Sequence, residues 1–472
     1  CLFSDERFVS NYDQERLITV NAVAKEINEH SSSTTLEESR KQAILACKSA
    51  PHLFAILAIM NKGAEICSFL AEDVSDEDLP FELRIYDDGR HVLERESGKE
   101  IASFTGWTDD SLKDFYRYQW WMTAPVFEDL KHENIHENAV LPFTAPPPEI
   151  EKSKTGHYST VYAARIHPSH HKFPLLKRLS PNVSVKKLMS SDRKDFLIER
   201  SILGELGRKP QMHIVKLLAT YLYRNEYYLI FPYANANLRQ FWKLYDSPQF
   251  DRITVLWSLR QMMGILNSLD TIHGLRVPSK FELEGEMRAQ DDATLVGWAS
   301  EEQYWRHGDI KPENILWFKR SPGIEDENGV LQIADFGSGR FHGRELHSNV
   351  HPTECPSVSS YEPPEPKLRM PISRAYDMWS IGCLFLEFIT WLLRGQAAIE
   401  GFAKARGQAD SRGNTDSNYF TITSNGERAV VRQDVIDWVN HLRCHERCSR
   451  VIHGLLDLIM KALLRVKPAS RI

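Results

Sequence analysis

Asp309, Lys311 and Asn314 stand within six residues, in the stretch His307-Gly-Asp-Ile-Lys-Pro-Glu-Asn-Ile-Leu-Trp317. An acid, a cation two places on and a carboxamide three further on run straight into apolar residues. That spacing lets a short loop aim three polar groups into one cleft while Ile315 and Leu316 anchor it in a strand. The chemistry such a trio supports is phosphoryl transfer. Asp309 can accept the proton of an attacking hydroxyl, Lys311 can neutralise charge on the moving group, and Asn314 can hold a metal ion. A polar surface loop of the same composition is the alternative for this stretch taken alone.

A loop of this kind needs rigid elements around it. Ile253–His273 has the periodicity of an amphipathic helix entering the loop. Asp335 lies 21 residues after Asn314, at the end of a second apolar stretch, with the turn signal Ser321-Pro322-Gly323 between the two. Upstream, His213–Leu218 and Tyr227–Phe231 read as strands, and so does Phe173–Arg178, which ends in Lys177. Phe196, Leu203 and Leu206 mark the apolar face of a helix carrying Glu199. Asp377 opens a further helix, which its side chain could cap. The Gly, Ser, Asn and Asp-rich stretch Gly401–Glu427 reads as a flexible insertion, followed by helices over Val435–Leu442 and Val451–Leu464. His441, Cys444, His445 and Cys448 have helical spacing for metal ligands, but no second ligand pair stands nearby, and core residues are expected.

The chain has 472 residues, 42% hydrophobic and 26% charged, with a formal net charge of −6. More than one domain is expected at this length. The charge gives no basic field for nucleic acid and no polybasic membrane patch. The most apolar run, Cys383–Leu393, is too short to span a membrane and contains Glu387. Seven scattered cysteines form no secreted framework, so a reducing, intracellular location, cytoplasmic or nuclear, is expected. Because it begins at Cys1, the chain reads as a piece of a longer protein. Residues 1–145 read as a mostly helical region. Thr35 and Glu38 have capping-box spacing, Leu53–Met60 is apolar all round, and Ser75–Asp78 is an acidic loop or helix start. The aromatic group from Trp107 to Phe127 is expected to be core. Ala145-Pro-Pro-Pro148 marks a boundary.

Jointly, these stretches resemble eukaryotic protein kinases over residues 150–472. His307–Asn314 resembles the family's catalytic loop in its serine/threonine form, with Gly308 where most members carry arginine. Lys154–Tyr162 resembles a glycine-rich phosphate loop reduced to Gly156, with Lys154 and Ser159 at the other two glycine positions. A plain hairpin accounts for it equally well. The resemblance places Val161 over the adenine and makes Lys177 the strand lysine on the α- and β-phosphates, with Glu199 as its partner. It puts Phe231 at the back of the adenine pocket, an amide donor at Ala234, and Leu316 against the nucleotide. Asp335 and Asn314 become the metal ligands, Glu365 pairs with Arg471 behind an activation segment over 338–362, and Asp377 holds the loop backbone.

The fold implied is α+β, a two-lobed kinase: a β-rich lobe over about 150–236, a helical lobe over about 237–472, and insertions at about 276–306 and 397–430. The function implied is ATP- and Mg2+-dependent phosphorylation of serine or threonine in a protein substrate. Neither nucleic acid nor membrane partners are expected, and the oligomeric state is left open. The phrase Glu387–Trp391 looks like kinase-domain proteins of filamentous fungi. Leu175 stands where the family has alanine two before its lysine, and Val358 where it has threonine. With Lys154 and Ser159, these departures define a second reading, a catalytically weak scaffold of kinase fold.

Overall fold

In the computed structural model, the described residues are all but 1–6, 31–34, 149–152, 156–158, 177–181, 190–192, 209–210, 276–304, 321–325, 339–359, 410–414, 424–425, 427 and 472. The chain divides into two compact units. One comprises 1–191 and 218–233, the other 192–217 and 234–472.

The first unit opens with helices, as the apolar patterning predicts. Thr35 caps the helix Leu36–Ser49, its hydroxyl accepting from the Glu38 amide at 3.3 Å. The next helix, Pro51–Ile59, has no cap of its own at Ala50. The acidic run supplies one: Asp76 accepts from the His52 and Leu53 amides at 2.8 and 2.9 Å. This helix is not buried all round, since Ile59 is exposed, but Leu53, Phe54, Ile56 and Leu57 are core. Phe115, Phe104 and Phe81 complete that core, and Trp120 stacks on His136, so the aromatic group is packing. A hairpin of Glu82–Ile85 with His91–Glu94 was not foreseen.

A seven-stranded sheet completes this unit, with its strands in the order 132–135, 219–223, 226–232, 182–188, 159–166 and 143–144; strand 153–155 also pairs with 159–166. Two of these strands, His132–Ile135 and Phe143–Thr144, lie before the proline run. The helical region and the sheet are therefore not divided at residue 145. Phe127 and Phe143 stack and share one core with Tyr221, Val183 and Val185.

Two expected strands are corrected. Pro174–Leu176 is a turn, although Phe173 and Leu176 are buried, and the strand is Asn182–Leu188 instead. His213–Leu218 is irregular apart from one bridge from Ile214 to Ile333; the strand begins at Ala219.

The second unit is mostly helical. Arg252–His273 is a helix capped by Asp251. Ala375–Arg394 is a central helix, buried from Trp379 through Leu393. Among the described residues it is long and apolar enough to cross a membrane, yet its apolar window is 94% buried inside the protein, as a core helix would be. The stretch Gly401–Glu427 departs from its expectation. It finishes the helix Gln396–Arg406 and continues into two small hairpins, with Phe402, Arg406, Tyr419 and Phe420 buried. Helices Gln433–Arg443 and Arg450–Leu458 follow, the latter prolonged by a π turn over Ile459–Leu463.

Candidate active site

Two strands build the site in the second unit. Ile315–Phe318 pairs antiparallel with Val330–Ile333, Ile315 facing Ile333. Residues just outside the pair are thereby brought together: the Ala334 amide donates to the Asn314 carbonyl at 2.9 Å. Asn314 and Asp335 thus emerge at one end of the same hairpin. The turn at its other end needs Gly329, whose φ is +75°; a Cβ there would lie 2.3 Å from the Phe318 carbonyl oxygen.

The three residues of the loop converge. Lys311 Nζ donates to Asp309 Oδ2 at 2.6 Å. Asn314 Nδ2 donates to the same oxygen at 2.8 Å and to the Asp309 carbonyl at 2.9 Å. Two donors therefore fix the Asp309 carboxylate, one of them cationic, which strengthens that bond. The Asn314 amide nitrogen is spent on Asp309, which turns its Oδ1 away as an oxygen ligand. Asp335 adopts φ +66°, a left-handed backbone that costs a non-glycine residue energy and that clusters at functional positions. Leu316 lies in the strand, facing Gln332.

His307 and Asp377 hold the loop from behind. The Asp309 amide donates to His307 Nδ1 at 3.3 Å, and His307 Nε2 lies 3.0 Å from the Ala334 carbonyl. This geometry assigns the Nε2–H tautomer. The ring meets Phe336 edge-on at 5.2 Å, and the turn Phe336–Ser338 contacts helix Arg193–Arg208, which carries the buried Glu199. Asp377, fully buried, accepts from the amides of His307 and Gly308 and from His273 Nε2, each at 2.8 Å. It does not cap its helix; Arg374 is the cap residue, without a side-chain bond. Burial pushes the Asp377 carboxyl up, but the His273 hydrogen bond, the nearby histidines and the Gly308 amide outweigh it and hold it below its ordinary value.

That balance gives a stability prediction. Asp377→Ala strands two buried amides and should cost about 2–5 kcal/mol, read as a lowered urea midpoint. A group with a depressed folded pKa stabilises above its unfolded value, about 3.9, and the contribution is lost as pH falls through the folded value. Parent and variant should thus differ by a constant amount from neutral pH down to about 4 and converge in stronger acid. An unchanged midpoint in Asp377→Ala would contradict this role.

Glu365 and Arg471 form a bidentate pair with both side chains buried, Nη2 to Oε2 at 2.9 Å, and Arg471 lies over Trp379. Among the described residues no group of three or more His, Cys, Asp or Glu could hold a metal ion. Of the four residues spaced for ligands between His441 and Cys448, His441 and Cys444 are exposed and His445 and Cys448 half-buried, so they are not the core residues expected.

In the first unit, only part of the expected nucleotide face lies among the described residues. Lys177 and Gly156 lie outside the described residues, as do Val358 and residues 339–359 of the activation segment. In the sheet, Val161 pairs with Lys186, and Ser184 with Phe231. Directly paired residues point to the same side, so Val161, Ser184, Lys186 and Phe231 share one face, opposite the core residues Val183 and Val185. Lys186 is 6% exposed. Lys187 points the other way and pairs with Glu226 at 2.7 Å. The lysine in register with Val161 is therefore Lys186, and the residue two before it is Ser184, not Leu175. The alternating Val183-Ser-Val-Lys186 pattern was the signal that could have found it. The chain passes between the units after Tyr233, at Ala234.

Residues 302–471 match the family model of the protein kinase domain, so this part of the chain is similar to eukaryotic-type protein kinases. Its relatives include the serine/threonine-protein kinase PKH3 of Eremothecium gossypii, 23% identical over 254 residues, which cover 52% of this chain and 29% of that protein. They also include cyclin-dependent kinase-like 5 of mouse and of human, each 25% identical over 294 residues, 61% of this chain and 26% of theirs. The chain thus spans less than a third of the length of these curated relatives. The first of them bears out the fungal resemblance.

Proposed function

We propose that the chain catalyses transfer of the γ-phosphoryl group of ATP to serine or threonine of a protein substrate. The observation carrying this reading is the convergence of Lys311 and Asn314 on the Asp309 carboxylate, beside a left-handed Asp335. In this reading Asp309 orients the attacking hydroxyl and takes its proton, and Lys311 balances the negative charge that gathers next to it. Lys186, with Val161 and Phe231 on the same face, is assigned to the nucleotide in place of Lys177. The donor set at the hairpin end, the Asp335 carboxylate and Asn314 Oδ1, is hard oxygen and fits magnesium. Bound magnesium would neutralise charge on the phosphates. Asp377 positions the loop, while Glu365 and Arg471 serve structurally as a buried pair.

An intracellular location is proposed with this function, in keeping with the free cysteines Cys47, Cys67, Cys383, Cys444 and Cys448. The direct test is incorporation of labelled phosphate from ATP into a generic basic protein, with and without magnesium. Failure to transfer to any substrate, with ATP still bound, would replace the enzyme reading by the scaffold one.

Regulation follows from Gly308. Family members with arginine there have a charge to neutralise, commonly by an activation-segment phosphate; Gly308 carries none. Phosphatase treatment, or alanine at Ser348, Thr353, Ser357 or Ser359, should leave transfer within about twofold of the parent. Abolished activity in any of these would overturn the expectation.

A further inference from the structure

Glu387, on the central helix Ala375–Arg394, is buried and saturated. Oε2 accepts from Arg239 Nη1 at 3.0 Å and from the Tyr361 hydroxyl at 2.6 Å, and Oε1 from Arg406 Nη2 at 3.2 Å and the Tyr419 hydroxyl at 3.0 Å. Burial would raise its pKa, yet Arg239 and Arg406 hold it below the ordinary value, so it is ionised at neutral pH.

Next to it lies a cavity of about 260 Å³, room for a side chain with a few waters. Two of its lining residues each carry a buried polar atom without a partner, Arg406 Nη1 and Gln396 Oε1. Both residues are more than nine-tenths buried: Arg406 is 2% and Gln396 7% exposed. Arg406 is clamped between the rings of Phe402 and Tyr419 at 3.9 and 4.0 Å, so it cannot swing away to find a partner. The Glu387 carboxylate has no lone pair left for it. Arg239 and Lys243 add two more cations to the lining, against the carboxylates Glu387 and Glu400. A desolvated guanidinium N–H left over in such a place selects an anionic acceptor.

The cavity adjoins the catalytic loop. Arg239, which lines it, also donates to Glu313 Oε1 at 3.0 Å. Glu313 is four residues from Asp309, at most about 14 Å of chain. An extended peptide rises about 3.3 Å per residue. A substrate hydroxyl at Asp309 therefore leaves side chains within about five residues able to enter the cavity.

We infer that this cavity is a subsite for an anionic side chain, carboxylate or phosphate, of the protein substrate, set within about five residues of the phosphoacceptor. This rests on the transfer reading proposed above. Arg406 Nη1 supplies the buried donor, Lys243 the charge at the mouth, and Gln396 Oε1 accepts from a hydroxyl or an ordered water carried in with the anion.

Serine peptides carrying a single aspartate or phosphoserine at each of five positions on either side would be compared with the neutral parent peptide. One register should be favoured about tenfold in kcat/KM, the size of one charge-assisted hydrogen bond. In Lys243→Glu and Gln396→Leu the ratio of acidic to neutral turnover should fall towards one. Arg406→Lys, checked for folding by circular dichroism, should lower it as well. A flat profile with good turnover would overturn the subsite and leave the transferase reading standing. No turnover on any peptide would sink the transferase reading, and fluorescence anisotropy of the same peptides would then decide the subsite. Tighter binding of the acidic or phosphorylated peptide, lost in Lys243→Glu, upholds an anion site. Binding equal to that of the neutral peptide, or displacement by inorganic phosphate at the peptide's own concentration, overturns a site for a substrate side chain.

Discussion

Replacing Asp309 by asparagine is expected to lower single-turnover phosphate transfer by about 10²–10⁴-fold, the range for losing a positioned general base. The carboxamide keeps the volume and one oxygen. It cannot take up the proton of a hydroxyl, and it no longer matches the Lys311 ammonium at 2.6 Å. Magnesium-dependent ATP binding should stay near the parent's, because the metal is assigned to Asn314 and Asp335. Asp335→Ala separates the two functions, since it removes a ligand and should weaken magnesium-dependent binding as well as transfer. Titrations with and without magnesium, followed by rapid-quench transfer, make the comparison. An Asp309→Asn protein that transfers as fast as its parent would place the chemistry elsewhere.

The legible part of this site is the part whose geometry is local. Asp309, Lys311 and Asn314 bond to one another within six residues, so residue types and spacing suffice to bring them together. Asp335 follows because its hairpin partner is a consecutive apolar strand. Lys186 was missed because residues 167–176 belong to none of the strands of the sheet, while Phe173 and Leu176 remain buried. Burial without strand imitates a strand in the sequence, and only the cross-strand register tells them apart. Arg406 was lost for a related reason. It stands in a stretch whose Gly, Ser and Asn content reads as loop, yet two aromatic rings and Glu387 bury it, contacts that composition does not carry. The domain boundary failed at the proline run because Phe127 and Phe143, both before it, pack into a sheet built largely from residues beyond it.

The corrected register has its own consequence. Lys186→Met keeps the aliphatic stem on the face shared by Val161, Ser184 and Phe231 and removes the charge. Transfer should fall by about 10²–10³-fold, the size of losing one preorganised electrostatic contact. A half-exposed pair at Lys177 would have made this change harmless to the fold. Lys186 is only 6% exposed, so its loss should also cost stability, about 1–3 kcal/mol. Transfer rates must therefore be compared at a temperature where thermal melting shows both proteins folded. Two neighbours serve as controls. Lys187→Met breaks only the Glu226 contact on the opposite side, a half-exposed pair worth about 0–1 kcal/mol, and should turn over near the parental rate. Lys177→Met should do the same. If Lys177→Met were inactive while Lys186→Met transferred normally, the pairing of Val161 with the Asn182–Leu188 strand would not carry the nucleotide, and the role would fall to Lys177.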